Sequence, residues 1–264
     1  MDKLPPKKSL GQNFLRSQTA LAQIVEGGNI QQNDIILEIG PGKGVLTRKL
    51  LEKSNKVFVI EKDSRLIEPL TQEFETEIKS GQLVLIEGDV LKIDIDSYIP
   101  QSTHYKLIAN IPYYITGEIL RLFLSRTHQP EHIVLLTQKE VTDRIVAQDG
   151  KESILSLSIK VYGTPKSLGI VKKEAFTPQP KVDSKILLIK DISKKHFDII
   201  SEEFFFKIIK TGFAQKRKKL TGNLSSLFAK KDIEVLFTKL SLDLNTRAED
   251  VPLSVWLELC KLLK

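Results

Sequence analysis

Apolar positions follow two rhythms along the first 190 residues. Short apolar runs, at Ile35–Leu37, Val57–Ile60, Leu83–Ile86, Leu107–Ala109 and Ile133–Leu136, are separated by stretches in which apolar residues recur every three or four positions. Buried strands alternating with amphipathic helices predict an open α/β sheet. A first helix is expected from the cap Ser17 through Leu21, Ile24 and Val25 to a stop at Gly27-Gly28. Pro69 lies within the pattern Leu66–Ile78 and predicts a helix that starts late or kinks there. Another helix is expected over Val141–Ala147, whereas Ile154–Val161 fits a buried helix and a strand equally. Leu168–Val171 and Ile186–Ile189 read as closing strands, an antiparallel hairpin at the sheet edge. Thr177-Pro178-Gln179-Pro180 between them must be loop, since prolines two apart exclude a central strand. After about Asp191 only helical spacing remains, from Phe204-Phe205-Phe206 to Trp256-Leu257-Glu258-Leu259. The expected division is a sheet domain over 1–190 and a helical domain over 191–264.

Composition narrows the classes. A chain of 264 residues with 41% apolar and 28% charged positions is long enough for one large core and a smaller second unit. No apolar run reaches membrane-spanning length and the N-terminus has no apolar signal core, so a soluble protein with no membrane partner is expected. One cysteine, Cys260, allows no internal disulfide, which fits a reducing, cytoplasmic compartment. His104, His128, His132 and His196 show no ligand spacing, and no metal is expected. A monomer is expected.

The formal charge of +7 matters through its placement. Between Phe204 and Lys231 stand eight Lys or Arg residues and no acid, with Lys216, Arg217, Lys218 and Lys219 consecutive. Lys3, Lys7 and Lys8 form a second basic spot. A mixed-sign solvated face would carry acids as well, so these clusters read as phosphate contacts to RNA, from Lys7, Lys8 and Lys216–Lys219.

The strand ends carry the candidate chemistry. The first apolar run leads into Glu38-Ile39-Gly40-Pro41-Gly42-Lys43-Gly44 and then a helical pattern from Val45. This strand, glycine turn and helix let the backbone approach a ligand closely, at Gly40 and Gly42 in particular. A dinucleotide fingerprint needs a small residue where Val45 stands, so the G-x-G-x-G spacing suits a donor without a pyrophosphate, such as S-adenosylmethionine. The second run ends at Glu61, whose carboxylate can accept both hydroxyls of a ribose. Asp89 follows the third, placed to accept from an adenine amine. The fourth delivers Asn110-Ile111-Pro112-Tyr113-Tyr114. An Asn-x-Pro-aromatic turn suits methylation of a planar amine: oxygens of the turn can accept hydrogen bonds from the amine and direct its lone pair, while the ring stacks on the base. Taken singly, each acid is a solvated loop residue and Pro112 a ladder stop. In register at the C-terminal ends of neighbouring strands they describe one site.

With these residues in place, the chain resembles the ribosomal RNA adenine dimethyltransferases nearly end to end. The resemblance is carried by Lys8–Leu15, Glu38–Gly44, Glu61, Gly88-Asp89, Asn110–Tyr113 and the F-x-P-x-P-x-V-x-S element from Phe176 to Ser184. It implies a Rossmann-like, S-adenosylmethionine-dependent methyltransferase domain, a small all-helical C-terminal domain, and transfer of two methyl groups to the 6-amino group of adenine. It also implies that Asn13, Leu15, Gly40, Glu61, Asp89 and Asn110 contact the donor, that Asn110 and Tyr113 hold the target base, and that Phe176 stacks on its other face. Gly212–Leu220 with Asn223-Leu224, and Arg247–Asp250, are similar to the branch that dimethylates two adjacent adenines near the 3′ end of small-subunit rRNA, in an immature particle. The other branch modifies one large-subunit adenine and confers macrolide resistance, and Ile111 does not separate the two. A DNA adenine methyltransferase and a nonenzymatic ribosome-assembly factor are the remaining readings. The latter is opposed by the intact Glu61, Asp89 and Asn110.

Overall fold

The computed structural model describes residues 5–7 and 10–264. In chain order the elements begin with β1 (Phe14–Leu15), α1 (Gln18–Gly27), β2 (Ile35–Ile39), α2 (Val45–Leu51), β3 (Lys56–Glu61), α3 (Ser64–Glu73), α4 (Glu75–Lys79) and β4 (Leu83–Glu87). They continue with β5 (Tyr105–Ala109), α5 (Thr116–Ser125), β6 (His132–Gln138), α6 (Lys139–Val146), α7 (Ile154–Lys160), β7 (Thr164–Val171), β8 (Phe176–Thr177) and β9 (Ser184–Lys190). Four helices close the chain: α8 (Glu202–Gly212), α9 (Leu220–Leu224), α10 (Lys230–Lys239) and α11 (Leu253–Leu262).

Seven strands form one sheet in the order β4-β3-β2-β5-β6-β9-β7. The first five run parallel and β9 joins β6 antiparallel. β5 and β6 are buried along nearly their whole length, as expected of parallel strands covered on both faces. Leu21, Ile24 and Val25 of α1, Leu46 and Leu50 of α2, and Leu66 and Leu70 of α3 pack in one cluster with Val57, Val59 and Ile108 of the strands. The order of connection reverses between β2 and β5, which leaves a crevice at their C-terminal ends, where open sheets bind ligands. A separate two-stranded pairing, β1 with β8, ties the N-terminal segment to the loop before β9 (Leu15 opposite Phe176).

The structure sharpens the predicted pattern in four places. The helix across Pro69 starts early, at Ser64, because the Asp63 side chain caps it, accepting from the Arg65 N–H. The Ile154–Val161 ambiguity resolves as helix, with Ser153 and Ser156 in a reciprocal capping box. The closing strands do lie side by side at the sheet edge, in an order that spacing alone leaves open: β9 lies against β6 and β7 is outermost. Finally, the chain divides into two compact units, 1–142 with 166–192 and 143–165 with 193–264. The expected division after residue 190 did not assign 143–165 to the helical unit. That stretch contains α7, and its neighbour Tyr162 bonds Glu202 of α8 (2.6 Å) and meets the Phe197 ring edge-on.

Within the helical unit, α8 starts at Ser201, whose side chain accepts from Phe204 N, and buries Phe205, Ile208 and Ile209. It ends at Gly212, where an added Cβ would lie 2.3 Å from the Trp256 ring. The next turn holds the consecutive cations. Asn223, itself buried, donates to the carbonyls of Gly212 (2.5 Å) and Gln215 (3.2 Å), and Leu220 N donates to Thr246 O.

Candidate active site

A cleft opens at the C-terminal ends of β2, β3, β4 and β5. Its walls come from Gln12–Phe14, the glycine turn, Glu61, Asp89 and Asn110–Tyr113.

The glycine turn folds as its spacing predicts. Gly40, Gly42 and Gly44 all have positive φ, +66°, +58° and +75°. Two of them have a steric reason as well: a Cβ on Gly42 would lie 2.9 Å from the Phe14 ring, and one on Gly44 2.6 Å from Phe74. The backbone is therefore pressed against rings on one side while Gly40 lines the cleft on the other, with nothing within 4 Å of its Cβ position.

Glu61, the last residue of β3, is only 5% exposed. Its two oxygens accept from Gly42 N (3.2 Å) and Asp63 N (2.7 Å), so it pins the glycine turn while facing the cleft. Burial pushes its carboxyl above the ordinary range, and those amide bonds oppose the shift. Glu38 lies deeper, fully buried, with Thr47 Oγ1 donating to it at 2.6 Å. Burial first, opposed by the Thr47 bond and assisted by the Glu61 charge, pushes it up to about 8. Glu38 lines a smaller hollow that shares Phe14, Gly40 and Asn110 with the main cleft and also touches Leu15.

Asp89 follows β4. One oxygen accepts from Leu91 N (3.1 Å) and the other pairs with Lys62 Nζ (2.8 Å), which holds the carboxyl below its usual range. The N-terminal segment completes the wall. Gln12 accepts from Lys7 N (2.7 Å) and donates to Asp63 (2.9 Å), and Asp63 is gripped by the Arg65 guanidinium, which takes it down to about 2. Asn110 donates through Nδ2 to Asn13 O (3.3 Å), and this leaves its Oδ1 as an acceptor. Tyr113 opens a 3-10 turn, Tyr113–Ile115, and its hydroxyl lies 2.6 Å from Ser184 Oγ.

The structure thus brings Asn13, Gly40, Gly42, Glu61, Asp89, Asn110 and Tyr113 to one cleft. Leu15 sits behind it, 5% exposed, on the smaller hollow. Phe176 is placed differently from the stacking position the resemblance implies. Its ring is 2% exposed, belongs to the same core cluster as Leu15, and does not line the cleft. The β1–β8 pairing, which sequence spacing does not reveal, fixes it there. Lys216, Arg217, Lys218 and Lys219 are all exposed, and among the described residues none forms an ion pair. Lys7 is exposed, while Lys3 and Lys8 lie outside the described residues.

Sequence reading assigned no role to Phe14, Lys62, Asp63 or Ser184. Phe14 and Ser184 stood inside quoted motifs. Lys62 needed the parallel register of β3 with β4, which sets Glu61 opposite Glu87 and so brings Lys62 near Asp89. Among the described residues there is no group of His, Cys, Asp or Glu placed to hold a metal ion, and no helix is long and apolar enough to cross a membrane.

Comparison with known proteins bears on the family and the fold. The family model described as ribosomal RNA adenine dimethylase matches residues 4–264. A ribosomal RNA small subunit methyltransferase A of Dehalococcoides mccartyi is 38% identical over 259 residues, 97% of this chain and 88% of the relative. One from Fusobacterium nucleatum is 38% identical over 262 residues, covering 98% and 97%. Among solved structures, a dimethyladenosine transferase from Plasmodium falciparum superposes with a TM-score of 0.78 at 27% identity, covering 95% of this chain and 96% of that one. The 23S rRNA methyltransferase ErmE gives the same TM-score, 0.78, at 23% identity, over 95% and 99%, a likeness of fold. The chain, with its methyltransferase sheet and its cleft at the strand ends, belongs to the ribosomal RNA adenine dimethylase family.

Proposed function

We propose that this enzyme transfers methyl groups from S-adenosylmethionine to the 6-amino group of two adjacent adenines near the 3′ end of small-subunit rRNA, in an immature ribosomal particle, acting as a monomer. One observation carries the reading: two carboxylates suited to a nucleoside, Glu61 and Asp89, share a cleft with the Asn110–Tyr113 turn suited to an aromatic amine. Fold alone does not choose the subunit, since a 23S rRNA methyltransferase superposes over nearly the whole chain. Sequence favours the small subunit, because the 36–38% identical relatives bear that name over nearly the whole chain.

The donor supplies an electrophilic methyl group on a sulfonium. Glu61 would accept its ribose hydroxyls and Asp89 its adenine amine, while Gly40, Gly42, Asn13 and Leu15 shape the wall around it. Asn110, its Nδ2 committed to Asn13, would accept a hydrogen bond from the target amine through Oδ1. Tyr113 would stack on the target base and add cation–π attraction toward the sulfonium. Burial pushes the Tyr113 phenol above its ordinary range, so it is a neutral ring at physiological pH and not a base. The aminium formed by transfer is a strong acid and loses its proton to solvent. Phe176, held in the core, supports this wall from behind. Lys216, Arg217, Lys218 and Lys219 would neutralise phosphates, with Lys7 as a further contact.

Mass spectrometry of rRNA from immature small subunits, incubated with enzyme and donor, tests the reading. Two methyls on each of two neighbouring adenines are expected. Modification of large-subunit RNA alone, or equal turnover on a short single-stranded oligonucleotide, would overturn it.

A further inference from the structure

Tyr113 has a tether that does not come from its own turn. The 3-10 turn fixes the backbone through Ile115 N to Pro112 O (3.2 Å), but such a bond leaves the side-chain torsions of Tyr113 free. What reaches the ring is the Ser184 hydroxyl, 2.6 Å from the phenol oxygen and 71 positions away in sequence. Ser184 is fully buried. It opens β9, opposite Gln138 in the antiparallel ladder with β6.

The residue before it is held on three sides. Asp183 accepts at one carboxylate oxygen from Lys173 N (3.0 Å), pairs at the other with Lys172 Nζ (3.0 Å), and accepts at its carbonyl from Lys139 N (3.0 Å). The Ser184 oxygen therefore has a fixed place in the sheet, while the Tyr113 ring hangs from a short turn that needs one. We propose that Ser184 is a positioning residue for methyl transfer: its hydroxyl sets the plane of the Tyr113 ring on which the target adenine stacks.

The physical case rests on what each partner can do. A serine hydroxyl and a phenol are each one donor and an acceptor, so the bond forms in either direction without any change of charge. A half-buried phenol that loses its partner must tip toward another one or remain unsatisfied. Tipping the ring displaces the stacked base from the line of attack, and small misplacements at the reacting centre are costly. Ser184 does not line the cleft, so its effect must pass through Tyr113. This inference rests on the reading of the Asn110–Tyr113 turn as the target-base site.

The experiment is a double-mutant cycle on unmethylated small subunits, with donor affinity read by calorimetry and folding by thermal melting. Ser184→Ala and Tyr113→Phe should each lower kcat by about three- to tenfold, the range of one hydrogen bond, with donor Kd unchanged. The double variant should be no slower than Tyr113→Phe alone, because both changes delete the same bond. Ser184→Thr, which keeps a hydroxyl, should recover most of the Ser184→Ala loss. Wild-type kcat in Ser184→Ala, multiplying losses in the double variant, or a donor Kd that weakens in step with kcat would each overturn the proposal. If Ser184→Ala does not fold, Tyr113→Phe decides, since it removes the same bond without touching β9, and wild-type kcat there overturns it. Tyr113→Ala separates the two layers: unimpaired transfer in that variant means that the target-base reading itself has failed, whatever Ser184 does.

Discussion

The strand-end carboxylates and the cations of the Gln215–Lys219 turn are both charges offered to a ligand, and they are built in opposite ways. Glu61 is buried, with each oxygen committed to a backbone amide, and Asp89 is held by an amide and a lysine. Lys216, Arg217, Lys218 and Lys219 project from a turn whose backbone is secured by Asn223, but their side chains are exposed and, among the described residues, unpaired. The first arrangement is pre-organised: few charges, low local dielectric, geometry already decided, and a cost in desolvation offset by amide bonds. The second keeps its charges solvated until a polyanion arrives, when counterion release supplies the affinity. Such a contrast is expected where one ligand is a small molecule of fixed shape and the other a repeating phosphate chain.

The largest effect should come from the solvated side. Changing Lys216, Arg217, Lys218 and Lys219 together to Gln should reduce the slope of log affinity for small subunits against log salt by about 3–4 units if all four meet phosphates. Donor affinity and melting temperature should stay at wild-type values, because the four side chains hold nothing within the fold. Titrations across a salt series check this. A preserved slope would make the turn a solvated surface and dissolve the comparison.

The next effect belongs to the buried side and is one of pH. Glu38 has an ordinary value of 4.5 and is raised to about 8 in the fold. Between those values the unfolded chain ionises this group while the folded chain keeps it protonated. Its contribution to stability is therefore complete below pH 4.5 and is lost as pH rises toward 8, at about 1.4 kcal/mol per unit of the window. Glu38→Gln mimics the protonated form and should abolish that slope, so its stability relative to wild type should rise between pH 5.5 and 8. Denaturant melts at the two pH values measure it, and parallel behaviour of the two proteins would show that Glu38 is ionised throughout.

These two regions were not equally legible in the sequence. The basic turn was visible because exposed charges need no partners: a run of cations without acids is the whole signal. The donor side was legible in outline, since glycine spacing and acids at strand ends mark a crevice whatever the packing. Its internal wiring was not. That Glu61 bonds Gly42, that Lys62 crosses to Asp89, and that Ser184 meets Tyr113 all depend on strand register and on loops meeting across long sequence separations. Phe176 shows the same limit: its motif is plain, but only the pairing of β8 with β1 reveals that its ring lies in the core. The grouping of 143–165 with the C-terminal helices is not visible in the sequence, because helical periodicity says that a face is buried, not against which partner.

A third test addresses Glu61 directly. Glu61→Ala removes the charge-assisted acceptor expected to hold the ribose, a loss of about 1.5–3 kcal/mol in donor binding. The same change strands the Gly42 and Asp63 amides, so a lowered melting temperature should accompany it. Calorimetry on the folded fraction separates the two. Tyr113→Ala should do the reverse, crippling transfer while donor binding is much less affected, since only the cation–π contact to the sulfonium is lost.

The smallest effect should come from Lys62, which belongs to neither extreme. Its side chain is 53% exposed, yet its ammonium sits 2.8 Å from the carboxylate assigned to the donor adenine. Asp89 retains its bond from Leu91 N without the lysine, so Lys62→Met should leave its position nearly unchanged. At neutral pH the donor Kd should shift by no more than about two- to fivefold, the range of an exposed ion pair. What the lysine does supply is charge. The Lys62 ammonium is the main reason that Asp89 lies below the ordinary carboxylate range. In wild type, then, the ionised acceptor survives as pH falls below the value at which a free aspartate protonates, and binding is lost only on passing the depressed value. Without Lys62 that loss should begin at higher pH, so the acid limb of donor binding should move upward in Lys62→Met while the neutral plateau scarcely changes. An unmoved acid limb would mean that Asp89 is not the group whose ionisation the donor senses, and a collapse of the plateau would mean that Lys62 itself touches the donor. Either result would redraw the border between the pre-organised and the solvated charges of this enzyme.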